Sequence, residues 1–365
     1  MKAKLIFVTA LLLLLFQTAR AREKPSIPEA DRVRLAEAFR LSESVGDHIW
    51  PGWSKVPFAV LLVTPDYEFL VRHPKPSEDF APLGYDPLLR CEVFYRKRTY
   101  PVRLLATFPA IKGSALSTIV VGQAENTEVL TSTPWVVTLF HEHFHQLQNA
   151  QPTYFADTRA LNLARGDDTG MWMLNYAFPY DNRQVQERYS ALRRLLADSL
   201  NAQTKEGRAS KLAAYLDARR EFQRSLGAED YKYISFQLWQ EGIARYTEYR
   251  VAQFAAEHYR PTKEFRALKD YTPFGQLAEE LRVGIFSQLQ TRQLGEAKRL
   301  VVYPFGAAEG LLLDATSPSW RKRYFVDKFD LGKYYEAVDR QFATTDKSSG
   351  RAAAGSKGRK GVGLR

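Results

Sequence analysis

The sequence predicts an α+β protein, predominantly helical, in which a small N-terminal mixed or antiparallel sheet packs on a larger helical part. Three observations predict this class. Apolar residues recur with a period near two in short runs before residue 132. From residue 133 the period lengthens to about 3.6 residues. The 365 residues are 45% hydrophobic and 25% charged, a globular balance that excludes collagen-like, disordered and polytopic membrane chains.

Taken in order, residues 29–44 place Val33, Leu35, Ala36, Phe39 and Leu41 on one face of an amphipathic helix. β-like runs follow at 56–63, 67–71, 91–95 and 116–121, separated by Pro- and Gly-rich turns. The single cysteine, Cys91, falls in one of them and reads as a packed strand residue rather than a nucleophile. Thr133-Pro134 offers a capping hydroxyl and a proline at the first helical position, opening a helix over 135–149. Helical patterns then run over 184–202, 210–226 and 231–258, with shorter ones at 274–289, 305–314 and 331–342.

The net charge of +11 would suit a nucleic-acid partner, but its location argues otherwise. Lys2, Lys4 and Arg20 lie in the first 21 residues, and Lys347, Arg351, Lys357, Arg359, Lys360 and Arg365 lie in the last twenty; the chain between is nearly balanced. With no interleaved aromatics and no recognisable module, nucleic acid is not an expected partner. Residues 1–21, with two lysines before the apolar run 5–16 and Ala19-Arg20-Ala21 after it, read as a secretory signal. The expected product is exported, periplasmic or extracellular, without stable membrane insertion; an uncleaved anchor is the alternative. Residues 346–365 read as a disordered basic tail able to attach weakly to an anionic surface. Between them, 22–345 reads as one domain, with a β-containing part (22–132) and a helical part (133–345).

The helix over 135–149 contains His141-Glu142-His143-Phe144-His145, an H-E-x-x-H spacing. Residues four apart share one helix face, so His141 and His145 can ligate one Zn²⁺ at about 2.0–2.1 Å. Glu142 can then act as general base toward a water activated by the metal. His143 points off that face, and packing or support of the ligands suits it better than ligation. A catalytic zinc takes a third protein ligand, for which Glu241 on the helical segment 231–258 is the best candidate. Glu248, seven residues on, shares its face and either orients a ligand histidine or pairs with Arg245 or Arg250 in solvent. The aromatic run 171–180 lies between the two ligand segments, as cleft lining or as core.

H-E-x-x-H followed by Glu241-Gly-Ile-Ala-Arg-Tyr246 resembles the gluzincin, thermolysin-like zinc metallopeptidases, whose third ligand is a Glu on a second helix. Gly122-Gln-Ala-Glu125-Asn126 resembles the G-A-M-E-N strand of aminopeptidase N-like members and, more loosely, a glycyl aminopeptidase motif. Tyr303-Pro-Phe-Gly306-Ala307 resembles their Y-x-K-G-A. The four elements occur in the family order. The resemblance implies a zincin-like catalytic domain with a helical insertion between the ligand helices, because 96 residues separate His145 from Glu241. It also implies that His141, His145 and Glu241 hold Zn²⁺, that Glu142 is the base, and that Tyr303 stabilises the oxyanion. The strand around Gly122 and Asn126 would pair with a peptide or protein substrate while Glu125 binds its free amine. The alternative is a non-catalytic exported metal- or peptide-binding protein, with the fourth metal position closed by His143, His258 or a loop acid.

Overall fold

A computed structural model describes residues 25–335; the segments expected to be a signal (1–21) and a tail (346–365), and the end of the helix expected over 331–342, lie outside the described residues. Helix α1 (Glu29–Val45) is followed by six strands: β1 (Val60–Val63), β2 (Tyr67–Val71), β3 (Ala81–Asp86), β4 (Cys91–Lys97), β5 (Leu105–Phe108) and β6 (Thr118–Gly122). They form one sheet in the order β3-β4-β2-β1-β6-β5, with β1 and β6 parallel and every other pair antiparallel. The sheet is therefore mixed.

Both faces of its centre are buried, which explains why 60–63 and 118–121 read as continuous apolar runs. Val60, Leu62, Phe69, Val71, Val93, Ile119 and Val121 join the main core shared with the helices. Leu61, Val63, Leu70 and Val120 face a smaller core closed by Phe80, Ala110 and Ile111. The alternation of the predicted runs does not extend to β3 and β5. Both are edge strands: β3 holds Pro82 and Gly84 at a register shift, and β5 is four half-buried residues, so neither carries a clean two-residue pattern.

The longer helices that follow are α2 (Ser132–Asn149), α3 (Tyr154–Ala160), α4 (Arg183–Leu200), α5 (Lys205–Arg224), α6 (Ala228–Gln237), α7 (Ile243–His258), α8 (Phe274–Thr291) and α9 (Val302–Thr316). Among the described residues none is long and apolar enough to cross a membrane. Helix α2 is almost wholly buried beneath β5 and β6 and beside α1 and α7. It starts three residues earlier than the sequence predicts, and its cap comes from afar. Asp270 Oδ2 accepts from Ser132 N–H at 2.9 Å, while the Thr133 hydroxyl accepts instead from Thr272 N–H at 3.0 Å. Helices α4 and α5 form a hairpin in the stretch between His145 and Glu241; α4 packs on α8 and α9, and Tyr215 and Arg219 of α5 reach Glu309 of α9.

The pattern over 231–258 resolves into α6, a π turn (Leu238–Gly242) and α7. The π turn meets α9 backbone to backbone. A methyl on Gly242 would lie 2.6 Å from Gly306 Cα, and one on Gly310 would lie 2.7 Å from the Tyr246 ring. Gly242/Tyr246 and Gly306/Gly310 are each four apart, so the two motifs that looked separate in sequence are the two sides of one helix seam.

Candidate metal centre

Helix α2 and the π turn converge on three side chains. The His141 and His145 rings, one turn apart on α2, have centroids 4.8 Å apart. Glu241 Oε2 lies 3.5 Å from His141 Nε2 and 3.6 Å from His145 Nε2. Ligands of a tetrahedral zinc with bonds of 2.0–2.1 Å lie about 3.3–3.4 Å apart, so the spacing fits that ion. Among the described residues this is the one grouping of three or more His, Cys, Asp or Glu able to hold a metal, with all ligand atoms within 4.8 Å. π turns recur at functional sites because the wider ring re-aims one side chain, and Glu241 sits in this one.

The outward nitrogens of both imidazoles are also engaged. His141 Nδ1 lies 2.6 Å from Glu248 Oε1, and Arg245 holds the other Glu248 oxygen at 2.6 Å. Glu248 is buried, so it is not a solvated face carboxylate although it does meet Arg245. His145 Nδ1 donates to Gln148 Oε1 at 2.7 Å, and Gln148 Nε2 in turn donates to the Tyr324 hydroxyl at 2.9 Å. These partners hold the outward nitrogens and turn both Nε2 atoms toward Glu241.

Electrostatics point to a cation. Burial opposes charge on His141, but hydrogen bonds to Glu241 and Glu248 and the charges of Glu248 and Glu142 push its pKa up to about 10. Burial likewise opposes ionisation of Glu241, yet the two histidines hold it well below the usual carboxylate range. In the metal-free protein the raised pKa contributes stability that is fully present below about pH 6.5 and lost as pH rises through about 10. A metal must displace that proton. Zinc affinity should therefore rise about tenfold per pH unit between about pH 6 and 8, measured by competition titration; a flat profile would contradict the protonated state.

Glu142 is buried beside these ligands. Its Oε2 accepts from Thr107 Oγ1 at 2.7 Å, a residue of the edge strand β5. Tyr303, at the start of α9, lies with its ring centroid 6.2 Å from that of His141. Burial and the Glu241 charge push its hydroxyl pKa upward, so it stays a proton donor. Arg299 completes this side, with Nη1 3.8 Å from Glu241 Oε1. Sequence reasoning missed Thr107, because β5 has no strand signature, and Arg299. Gln148 was within reach, since it follows His145 by one turn of the same helix.

Other expectations are corrected. Gly122 does not lie on a strand free to pair with a peptide: β6 is flanked by β1 and β5, Gly122 N–H donates to Leu104 O, and Gly122 O accepts from Trp135 Nε1. It is glycine because a methyl there would lie 1.9 Å from Val102 O. Asn126 is held against Gln123, with its N–H donating to Gln123 O at 2.9 Å. Glu125 is paired with Arg34 at 3.2 Å, and Arg34 also reaches Ser132 at the start of α2, nine residues and about 13 Å of helix rise from His141. His143 stacks on Phe58 with centroids 4.0 Å apart and bonds Gln146, which ties α2 to Ala59 and Ser117. Burial pushes its pKa down to about 4, so it packs as a neutral ring between helix and sheet and does not support the ligands. His258, 60% exposed and 17 residues beyond Glu241, lies about 25 Å of helix rise away. Neither histidine is placed to close a fourth metal position.

The chain matches no protein-family model, no curated protein and no solved structure. The gluzincin resemblance therefore rests on sequence motifs alone, and the residues of the Gly122-to-Asn126 motif do not join the metal-binding group.

Proposed function

We propose that the chain is an exported zinc-dependent peptidase of the gluzincin type, with a zincin-like helical core. One observation carries the reading. A general-base candidate, Glu142, is held by a hydroxyl beside a His141/His145/Glu241 group of metal-binding spacing. Bound zinc would supply a Lewis acid that polarises a carbonyl and lowers the pKa of water. Glu142 would take a proton from that water and pass it to the leaving amine. Tyr303, kept protonated by its surroundings, would donate a hydrogen bond to the oxyanion. Glu248 and Gln148 hold the imidazoles in orientation.

Of the features that would mark an aminopeptidase, Glu125 lies 3.2 Å from Arg34, which also meets Asp31 and Asp270, and the Gly122 strand is interior. A free substrate amine is thus not part of this reading. The test is metal analysis of the purified chain, followed by incubation with denatured protein and short peptides and mapping of new termini. About one zinc per chain with chelator-sensitive cleavage supports the enzyme. Zinc without cleavage favours a non-catalytic metal- or peptide-binding protein, and absence of zinc removes both.

A further inference from the structure

Among the described residues, Arg299 is a cation of this site whose only anionic neighbour, Glu241, stands 3.8 Å away. Arg245 is spent on Glu248 at 2.6 Å. Arg299, only 20% exposed, has its Nη1 shared between Gln237 Oε1 at 3.4 Å and Glu241 Oε1 at 3.8 Å, and its guanidinium carbon stands 5.5 Å from the Tyr303 ring centroid. Arg299 also hydrogen-bonds the Tyr303 side chain, but no partner offers the bidentate carboxylate geometry that offsets the desolvation of a buried guanidinium.

Its position is enforced by the backbone. The preceding residue, Lys298, has φ 47° and ψ −126°, a conformation that L side chains rarely adopt and that glycine takes up at Gly46 (φ 44°, ψ −126°). Strain of this kind persists where the surroundings over-determine it, as they do around a functional group. The charge count agrees. Glu142, Glu241 and Glu248 against Arg245 and Arg299 leave one negative charge in excess with neutral imidazoles, which a divalent cation turns into one positive charge in excess.

We propose that Arg299 receives a carboxylate of the peptide substrate, close to the scissile bond. The proposal rests on the peptidase reading. Arg299 approaches the Glu241 oxygen that does not face the histidines, so the group it binds is a neighbour of the reacting carbonyl, about one residue along an extended chain. The carboxylate comes from a free C-terminus or from an acidic side chain.

Binding to the zinc-loaded Glu142→Gln chain tests this without turnover. The probes are an N-acetylated dipeptide with a free C-terminal carboxylate, its C-terminal amide, and an amide of the same length bearing aspartate at the second position, each titrated by calorimetry with zinc content measured alongside. The carboxylate peptide should bind at least about tenfold more tightly than the plain amide. Arg299→Met should abolish that preference and Arg299→Lys should keep part of it, with zinc retained in both. A preference confined to the aspartyl amide assigns the side-chain source and equally supports the proposal. Equal affinity for all three probes, or a preference unchanged in Arg299→Met, overturns it. Should the methionine variant not fold, the wild-type comparison of acid with amide and the lysine variant decide. Absence of cleavage by the zinc-loaded wild type would count against the peptidase reading, while the binding preference would still report on Arg299.

Discussion

Glu142→Gln should lower peptide hydrolysis by about 10²–10⁴-fold while leaving zinc content and thermal stability unchanged. The amide has the size and shape of the carboxylate and can still meet the Thr107 hydroxyl, so the buried position stays filled and hydrogen-bonded. What it loses is basicity. The imidazoles and Glu241 are untouched, and metal analysis of the variant separates lost proton transfer from lost metal. Thr107→Val should behave as a weaker copy, with kcat down about tenfold, equivalent to ~1.4 kcal/mol of lost positioning, and zinc again retained. Undiminished hydrolysis by Glu142→Gln would remove Glu142 from the mechanism and with it the peptidase reading.

Gly306→Ala, like Gly242→Ala across the same seam, should be among the most damaging single methyls in the helical part. The new carbon would stand 2.6 Å from Gly242 Cα and 2.9 Å from Leu238 O, both backbone atoms of the π turn, so no flexible side chain can yield. Overpacking of this kind costs ~1–3 kcal/mol and sits at the upper end where only backbone can move. Its second consequence is functional. Glu241 immediately precedes Gly242, and pushing the π turn off α9 displaces the third ligand, so zinc affinity should fall together with melting temperature. Gly284→Ala on α8 is the control. A methyl there meets nothing nearer than 4.0 Å and replaces a helical glycine, so it should stabilise by ~0.5–1 kcal/mol with zinc affinity unchanged. A Gly306→Ala protein with wild-type melting and zinc binding would show that the seam is looser than described.

Much of the helical part was legible because helical patterning is local. The segments 29–44, 184–202 and 274–289 each match a helix to within two residues at both ends, since a 3.6-residue apolar period states which face is buried without reference to any partner. Central strands were legible for a similar reason. Edge strands were not: β5 buries little, and its importance lies in Thr107, whose partner Glu142 is 35 residues away. The resemblance around Gly122-Gln-Ala-Glu125-Asn126 misled because a motif specifies residue types and not pairing. That strand acquired a neighbour on each side, and Glu125 acquired Arg34.

By itself the sequence determined the half of the site that lies on one helix. His141, Glu142 and His145 stand in their relation because 3.6 residues per turn puts positions four apart on a common face, whatever else the chain does. Only the tertiary structure decided the other half. Glu241 faces the histidines because Gly242 lets the π turn touch Gly306, and Glu248 reaches the opposite nitrogen of His141 from one helix along. The same closing of α9 onto the π turn brings Tyr303 and Arg299 alongside Glu241. Such meetings join segments tens of residues apart through backbone contact and burial, and no periodicity within either segment encodes the other's position.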